Sequence, residues 1–105
     1  MGSTAEHQAL VNEILLQFGS KSKYRLWANN TGKAFRGKRL LSFGLVGSAD
    51  ITGVIKGSGR RIEIEVKTGK AVQSPDQINF MNMIRKFNGI YILARSVLDV
   101  ELGLL

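Results

Sequence analysis

Asp50 stands fifteen positions ahead of Glu65-Val66-Lys67, with the glycine-rich stretch Lys56-Gly-Ser-Gly-Arg60 between them. Two carboxylates and a lysine on consecutive strands could serve phosphodiester hydrolysis. The carboxylates would hold a divalent cation, which activates water, and the lysine would face the phosphate under attack. In Arg61-Ile-Glu-Ile-Glu-Val-Lys67 the alternation is strict: Ile62, Ile64 and Val66 point one way, and Glu63, Glu65 and Lys67 the other. A two-residue type II′ turn at Gly57-Ser58 would pair Lys56 with Gly59 and place Asp50 opposite Glu65. Directly opposed side chains have Cβ atoms about 4.5–5.5 Å apart. Like charges that close call for a cation between them, or a proton on one. The same register sets Ser48 opposite Lys67. The competing interpretation is an exposed strand face that carries Glu63, Glu65 and Lys67 for solubility.

Further candidates flank this pair. Ser74-Pro-Asp-Gln77 reads as a helix start with a capping box. Gln77 also aligns with Phe80, Met81, Ile84 and Phe87, so its amide could reach the site instead of only capping. Glu6 and Glu13 are the acidic residues of the first helix. Glu6, one turn before Leu10, is the better placed to point over the sheet, and solvent exposure is the alternative for both. His7, the sole histidine, falls on the apolar face of that helix, where packing is expected. A single histidine argues against zinc sites and histidine-based nuclease chemistry. The stretch Trp27-Ala-Asn-Asn-Thr-Gly-Lys-Ala-Phe-Arg-Gly-Lys-Arg39 mixes aromatic, amide and basic residues. It suits nucleic-acid contacts through Trp27, Asn29, Asn30, Lys33, Arg36, Lys38 and Arg39, with Ser48 placed beside them. A flexible basic surface loop is the other interpretation.

The elements that must position these groups follow from periodicity and punctuation. Residues 4 to 18 read as a helix with Leu10, Val11, Ile14, Leu15 and Phe18 recurring, closed by Gly19. Tyr24 to Trp27 is a short strand, Asn29 to Arg36 a loop, and Leu40 to Val46 a strand weakened by Gly44. Residues 48–55 and 60–67 are the clearest strands, 75–87 a helix and 89–95 a strand. The tail from Val97 is too short to assign. The order α-β-β-β-α-β predicts an α/β fold around a central mixed sheet.

Bulk properties narrow the function classes. A length of 105 residues predicts one domain. The absence of cysteine removes disulfides, thiolate zinc sites and a cysteine nucleophile, and fits a cytoplasmic setting. No apolar run approaches a membrane span, so no membrane partner is expected. Fifteen Lys and Arg against eight Asp and Glu give a net charge of +7. That balance points to an anionic partner, nucleic acid first; a chain that merely happens to be basic is the alternative.

The chain resembles the VRR-NUC family of the PD-(D/E)xK nuclease superfamily. The elements that match are the N-terminal helix with Glu6, Trp27-Ala-Asn-Asn-Thr-Gly32, Gly47-Ser-Ala-Asp50, Glu65-Val-Lys67, Ser74-Pro-Asp-Gln77 and Gly89-Ile-Tyr-Ile-Leu-Ala-Arg-Ser96. They run through nearly the whole chain in the family's order. The resemblance implies one nuclease domain over 1–105 with a restriction-endonuclease-like core, a central mixed β-sheet flanked by α-helices. It implies that Asp50, Glu65 and the backbone carbonyl of Val66 bind Mg²⁺ or Mn²⁺. Lys67 would be the catalytic lysine, Gln77 the active-site glutamine, and Glu6 the helix carboxylate that completes the metal shell. Members often carry Trp-Arg-Asn where this chain has Trp27-Ala28-Asn29. Short stand-alone members look like phage or bacterial proteins, and several resemble dimeric enzymes that cleave Holliday junctions. The expectation is therefore a structure-selective DNA endonuclease acting as a homodimer in a bacterial host or phage-infected cell. The alternatives are a non-catalytic binder of structured nucleic acid on the same fold, and a metal-free interaction protein.

Overall fold

The computed structural model describes residues 4–29, 32–36, 39–43 and 45–105, with 32–36 and 39–43 as backbone alone. Thr4 caps the first helix, α1 (Ala5–Phe18), by accepting from the His7 amide through Oγ1 at 3.1 Å. Strand β1 (Tyr24–Ala28) follows, then β2 (Gly32–Arg36), β3 (Arg39–Phe43), β4 (Ile51–Ile55) and β5 (Arg61–Val66). Helix α2 (Pro75–Lys86), strand β6 (Ile90–Ala94) and helix α3 (Val97–Gly103) complete the chain.

The fold is α/β, with a four-stranded sheet in the order β1-β4-β5-β6. The first three strands are antiparallel, and β6 joins β5 in parallel, so the sheet is mixed. A parallel neighbour requires a crossover, and α2 supplies it. Strands β2 and β3 form a separate antiparallel hairpin. Two expectations change here. Residues 32–36, taken for loop, are extended and pair with β3. The apolar run from Leu40 starts at Arg39, ends at Phe43 and does not join the main sheet. Alternation underestimates such a hairpin because Gly32 and Gly37 interrupt the pattern. The tail, left unassigned, is helical because Ser96 accepts from the Asp99 amide and caps it.

Strand alternation divides the sheet into two faces. Leu26, Ile51, Ile62, Ile64, Val66, Ile92 and Ala94 share one, and α1 and α3 cover it with Val11, Ile14, Phe18 and Val100. The opposite face carries Tyr91 and receives α2 through Phe80 and Ile84, with Ala49 beside them. Glu63 and Glu65 point to this second face and are buried, at 0% and 3% exposure. The solubility interpretation of that face fails for these two residues.

The β4–β5 register pairs Ile51 with Ile64 and Thr52 with Glu63. Continued one residue, it sets Asp50 opposite Glu65, as the sequence predicts. The turn that produces it is different. Ile55 donates to the Arg60 carbonyl at 2.9 Å, and Gly59 donates to that of Ile55 at 2.9 Å. A four-residue loop, Lys56–Gly59, replaces the two-residue turn. It adds one residue to each side, so the pairing survives.

Candidate functional site

Asp50, Glu65 and Lys67 meet at the carboxyl end of β5, outside the sheet, where parallel units commonly bind ligands. An open cleft of about 460 Å³ lies there, lined by His7, Asp50, Glu65, Val66, Lys67 and Gln77 among others. Asp50 sits just before β4. Its Oδ2 accepts from the Val66 amide at 2.8 Å and meets His7 Nε2 at 3.3 Å. Asn29 braces the segment leading to it. Its Nδ2 donates to the Ala49 carbonyl at 3.0 Å and to Ser48 Oγ at 3.4 Å, and its backbone N–H donates to the Asp50 carbonyl at 2.9 Å.

Glu65 is held from two sides. Gln77 Nε2 donates to its Oε2 at 3.1 Å, and Lys67 Nζ lies 3.4 Å from the same oxygen. Gln77 performs both tasks that the sequence leaves open. Its Oε1 accepts from the Ser74 amide at 2.9 Å while Ser74 Oγ accepts from the Gln77 amide at 3.2 Å, a complete capping box. The other end of the same side-chain amide reaches the carboxylate. Gly47 fixes the helix that carries it. Its φ is +79°, and an added Cβ would lie 2.3 Å from the Asp76 carbonyl oxygen and 2.8 Å from the Gln77 nitrogen.

Burial first, and then the neighbouring Asp50 charge, push the Glu65 carboxyl up to about 7 against the pull of Lys67. Glu65 Oε1 is buried without a hydrogen-bond partner. Two facing carboxylates with an unsatisfied oxygen accept either a proton or a cation. A third oxygen points the same way. The Lys67 N–H donates to Ala94 on β6 at 3.0 Å. In a planar trans peptide the Val66 carbonyl then points away from β6, towards Asp50. These donors fit a hard divalent ion, which commonly takes one or two carboxylates and keeps several waters. Among the described residues, no group of three or more His, Asp or Glu side chains gathers as a metal site. Any cation would therefore rest on two carboxylates and a backbone oxygen.

The structure thus brings together Asp50, Glu65, Val66, Lys67 and Gln77. It does not bring Glu6 to them. Glu6 is exposed and lies along the outer side of α1 with Ala9, Leu10 and Glu13. One residue on a helix is a rotation of about 100°, and that step carries His7 over the cleft instead. The sequence signal was available: His7 is in phase with Val11, Ile14 and Phe18, the buried stripe of α1. The apolar phase of that stripe predicts packing for His7, whereas the first turn overhangs Asp50.

The expected DNA contacts are less gathered. Trp27 is half-exposed on edge strand β1, while Asn29 and Ser48 are partly buried and engaged with each other. The backbone of Lys33, Arg36 and Arg39 lies on the β2–β3 hairpin, and their side chains are outside the described part. Asn30 and Lys38 lie outside the described residues. No protein-family model matches the chain, and no curated protein matches it either.

Proposed function

We propose that this chain is a divalent-metal-dependent endonuclease that hydrolyses phosphodiester bonds in branched or otherwise structured DNA, on a restriction-endonuclease-like core of the VRR-NUC kind. The observation that carries this reading is the pairing of Asp50 with Glu65 at the mouth of a cleft, with Lys67 and Gln77 in contact with Glu65. Asp50, Glu65 and the Val66 carbonyl would hold Mg²⁺ or Mn²⁺. Such an ion, when bound, lowers the pKa of a coordinated water and offsets charge on the phosphoryl oxygens. Gln77 orients Glu65 and keeps one of its oxygens occupied. Lys67 offers an ammonium to the charge that develops on the phosphate as the bond breaks. The net charge of +7 supplies attraction for the DNA backbone.

The deciding experiment is a cleavage assay on labelled four-way junction, flap, nicked, duplex and single-stranded DNA, with Mg²⁺, with Mn²⁺ and with chelator. Metal-dependent cuts in a branched substrate, absent from Asp50→Ala, are expected. Tight junction binding with no cleavage under either metal would favour a second reading, a non-catalytic DNA-binding domain. That reading draws on the Lys67 ammonium, which already acts as counter-ion to Glu65.

Paired cuts across a four-way junction need two sites, and a two-fold dimer supplies them most simply. Helix α3 packs Val97, Val100 and Leu104 on the core but leaves Leu98, Leu102 and Leu105 exposed. Sedimentation equilibrium tests the dimer, and a strict monomer with and without junction DNA would remove it.

A further inference from the structure

The geometry points to His7 as the residue that fixes Asp50 in its cation-holding orientation, a positioning role that rests on the nuclease reading above. The terminal torsion of an aspartate is soft, so its carboxylate turns readily unless something pins it. Two N–H groups reach Asp50, and both meet Oδ2: the Val66 amide at 2.8 Å and His7 Nε2 at 3.3 Å; the Glu65 carboxyl also lies within hydrogen-bond reach of the Asp50 side chain. Among the described residues no N–H donates to Oδ1. Held at one oxygen from two directions, the carboxylate keeps its other oxygen available to an ion. The Val66 amide alone would leave the group free to swing about that single bond.

The ring itself is anchored for this contact. The Thr4 cap receives the His7 amide, which sets the residue in the first turn of α1, over the start of β4 and the end of β5. The side chain is 18% exposed, and Nδ1 is buried without a partner. Nε2 makes the only hydrogen bond of the ring among the described residues. With Nε2–H as the donor to Asp50, the bare lone pair is on Nδ1. A buried unpaired nitrogen is unfavourable, so a residue placed only to fill space would do better without it. The imidazole is therefore explained by what Nε2 does. It acts through Asp50 and not on the substrate.

The test is Mn²⁺ titration calorimetry on the full chain, on His7→Ala and on His7→Gln, with circular dichroism as the folding check. His7→Ala is expected to weaken Mn²⁺ binding by about 10–100-fold, the usual effect of losing a group that orients a ligand. His7→Gln retains an N–H of similar reach and is expected to recover most of that loss. Electron spin echo spectroscopy of Mn²⁺ on the unsubstituted chain is expected to show no imidazole nitrogen coupling. Undiminished binding by His7→Ala overturns the inference, and so does equal weakening in both variants. Imidazole coupling would overturn it too, by making His7 a ligand. Imidazole coupling on the unsubstituted chain overturns the inference even if His7→Ala does not fold. An unsubstituted chain that binds no Mn²⁺ would instead remove the nuclease reading on which the inference rests.

Discussion

Glu63 and Glu65 are two residues apart on β5, face the same side of the sheet and are both buried. Their surroundings differ. Glu63 lies opposite Thr52, whose hydroxyl donates to its Oε2 at 2.5 Å, and Arg61 Nε donates to the same oxygen at 2.6 Å. Its charge is matched by a guanidinium on its own strand. Glu65 lies opposite Asp50, a second carboxylate, and burial together with that neighbour pushes it up to about 7. Both glutamates keep a buried Oε1 without a hydrogen-bond partner, but the charge of Glu63 is met by a cation and that of Glu65 faces a second carboxylate, which leaves this end open to a proton or a cation. Burial alone does not identify a site; the identity of the cross-strand partner does.

The sharpest way to break this comparison is to remove members of the open pair. Asp50→Ala and Glu65→Ala are each expected to abolish metal-dependent cleavage while the far-ultraviolet spectrum stays native. Residual Mn²⁺-dependent cutting by purified Asp50→Ala would sink the site. Lys67→Ala should slow the chemical step by roughly 10²–10³-fold, the scale for losing one group that stabilises developing charge. Single-turnover kinetics measures this, and calorimetry should find Mn²⁺ binding retained; lost metal affinity would mean that Lys67 has another role.

The closed end should respond in stability rather than activity. Glu63→Ala leaves the Thr52 hydroxyl without its partner and frees Arg61, which is already more than half exposed. A loss of about 1–3 kcal/mol is expected, read by urea denaturation, with single-turnover cleavage unchanged. Equal damage to cleavage and stability would erase the distinction between the two ends.

The smallest effect is expected in pH dependence. The folded-state value of Glu65, about 7, lies above its ordinary 4.5. The folded chain therefore binds that proton more tightly than the unfolded one. The contribution is fully present below about 4.5 and is lost as pH rises through about 7. In chelator, the thermal midpoint of the unsubstituted chain should fall relative to Glu65→Gln over that window. Parallel midpoints across it would mean that burial and the Asp50 charge do not raise the Glu65 carboxyl.

Much of this arrangement can be read from the chain. The Asp50–Glu65 pairing follows from strand alternation together with an even-length connection, so it was recovered although the loop has four residues instead of two. Gln77 was visible as both cap and site residue because its helix phase and its capping position coincide. Other features depend on contacts between distant segments. Alternation assigns Glu63 to a face but cannot say that α2 covers that side of the sheet or that Thr52 and Arg61 wait there. Helix phase puts His7 rather than Glu6 on the stripe of Val11, Ile14 and Phe18, but only the seating of α1 on the sheet places the first turn of that stripe over Asp50. Asn29 looked like a loop amide free to meet DNA, whereas two backbone partners from residues 49 and 50 engage it.

Gly47 has a consequence for how this sequence can vary. What presses on its Cα is the Asp76–Gln77 peptide, main chain that no change of side chain can move aside. Position 47 should therefore tolerate almost no replacement in a saturation scan, and second-site suppressors among neighbouring side chains should be scarce. Gly57 and Gly59 also have positive φ, but an added Cβ at either would meet nothing within 4 Å. Asparagine or aspartate should be accepted there. The motif before Asp50 and the start of α2, nearly thirty residues apart in sequence, would then change over evolutionary time as one unit, while the distal loop varies among residues that accept a positive φ.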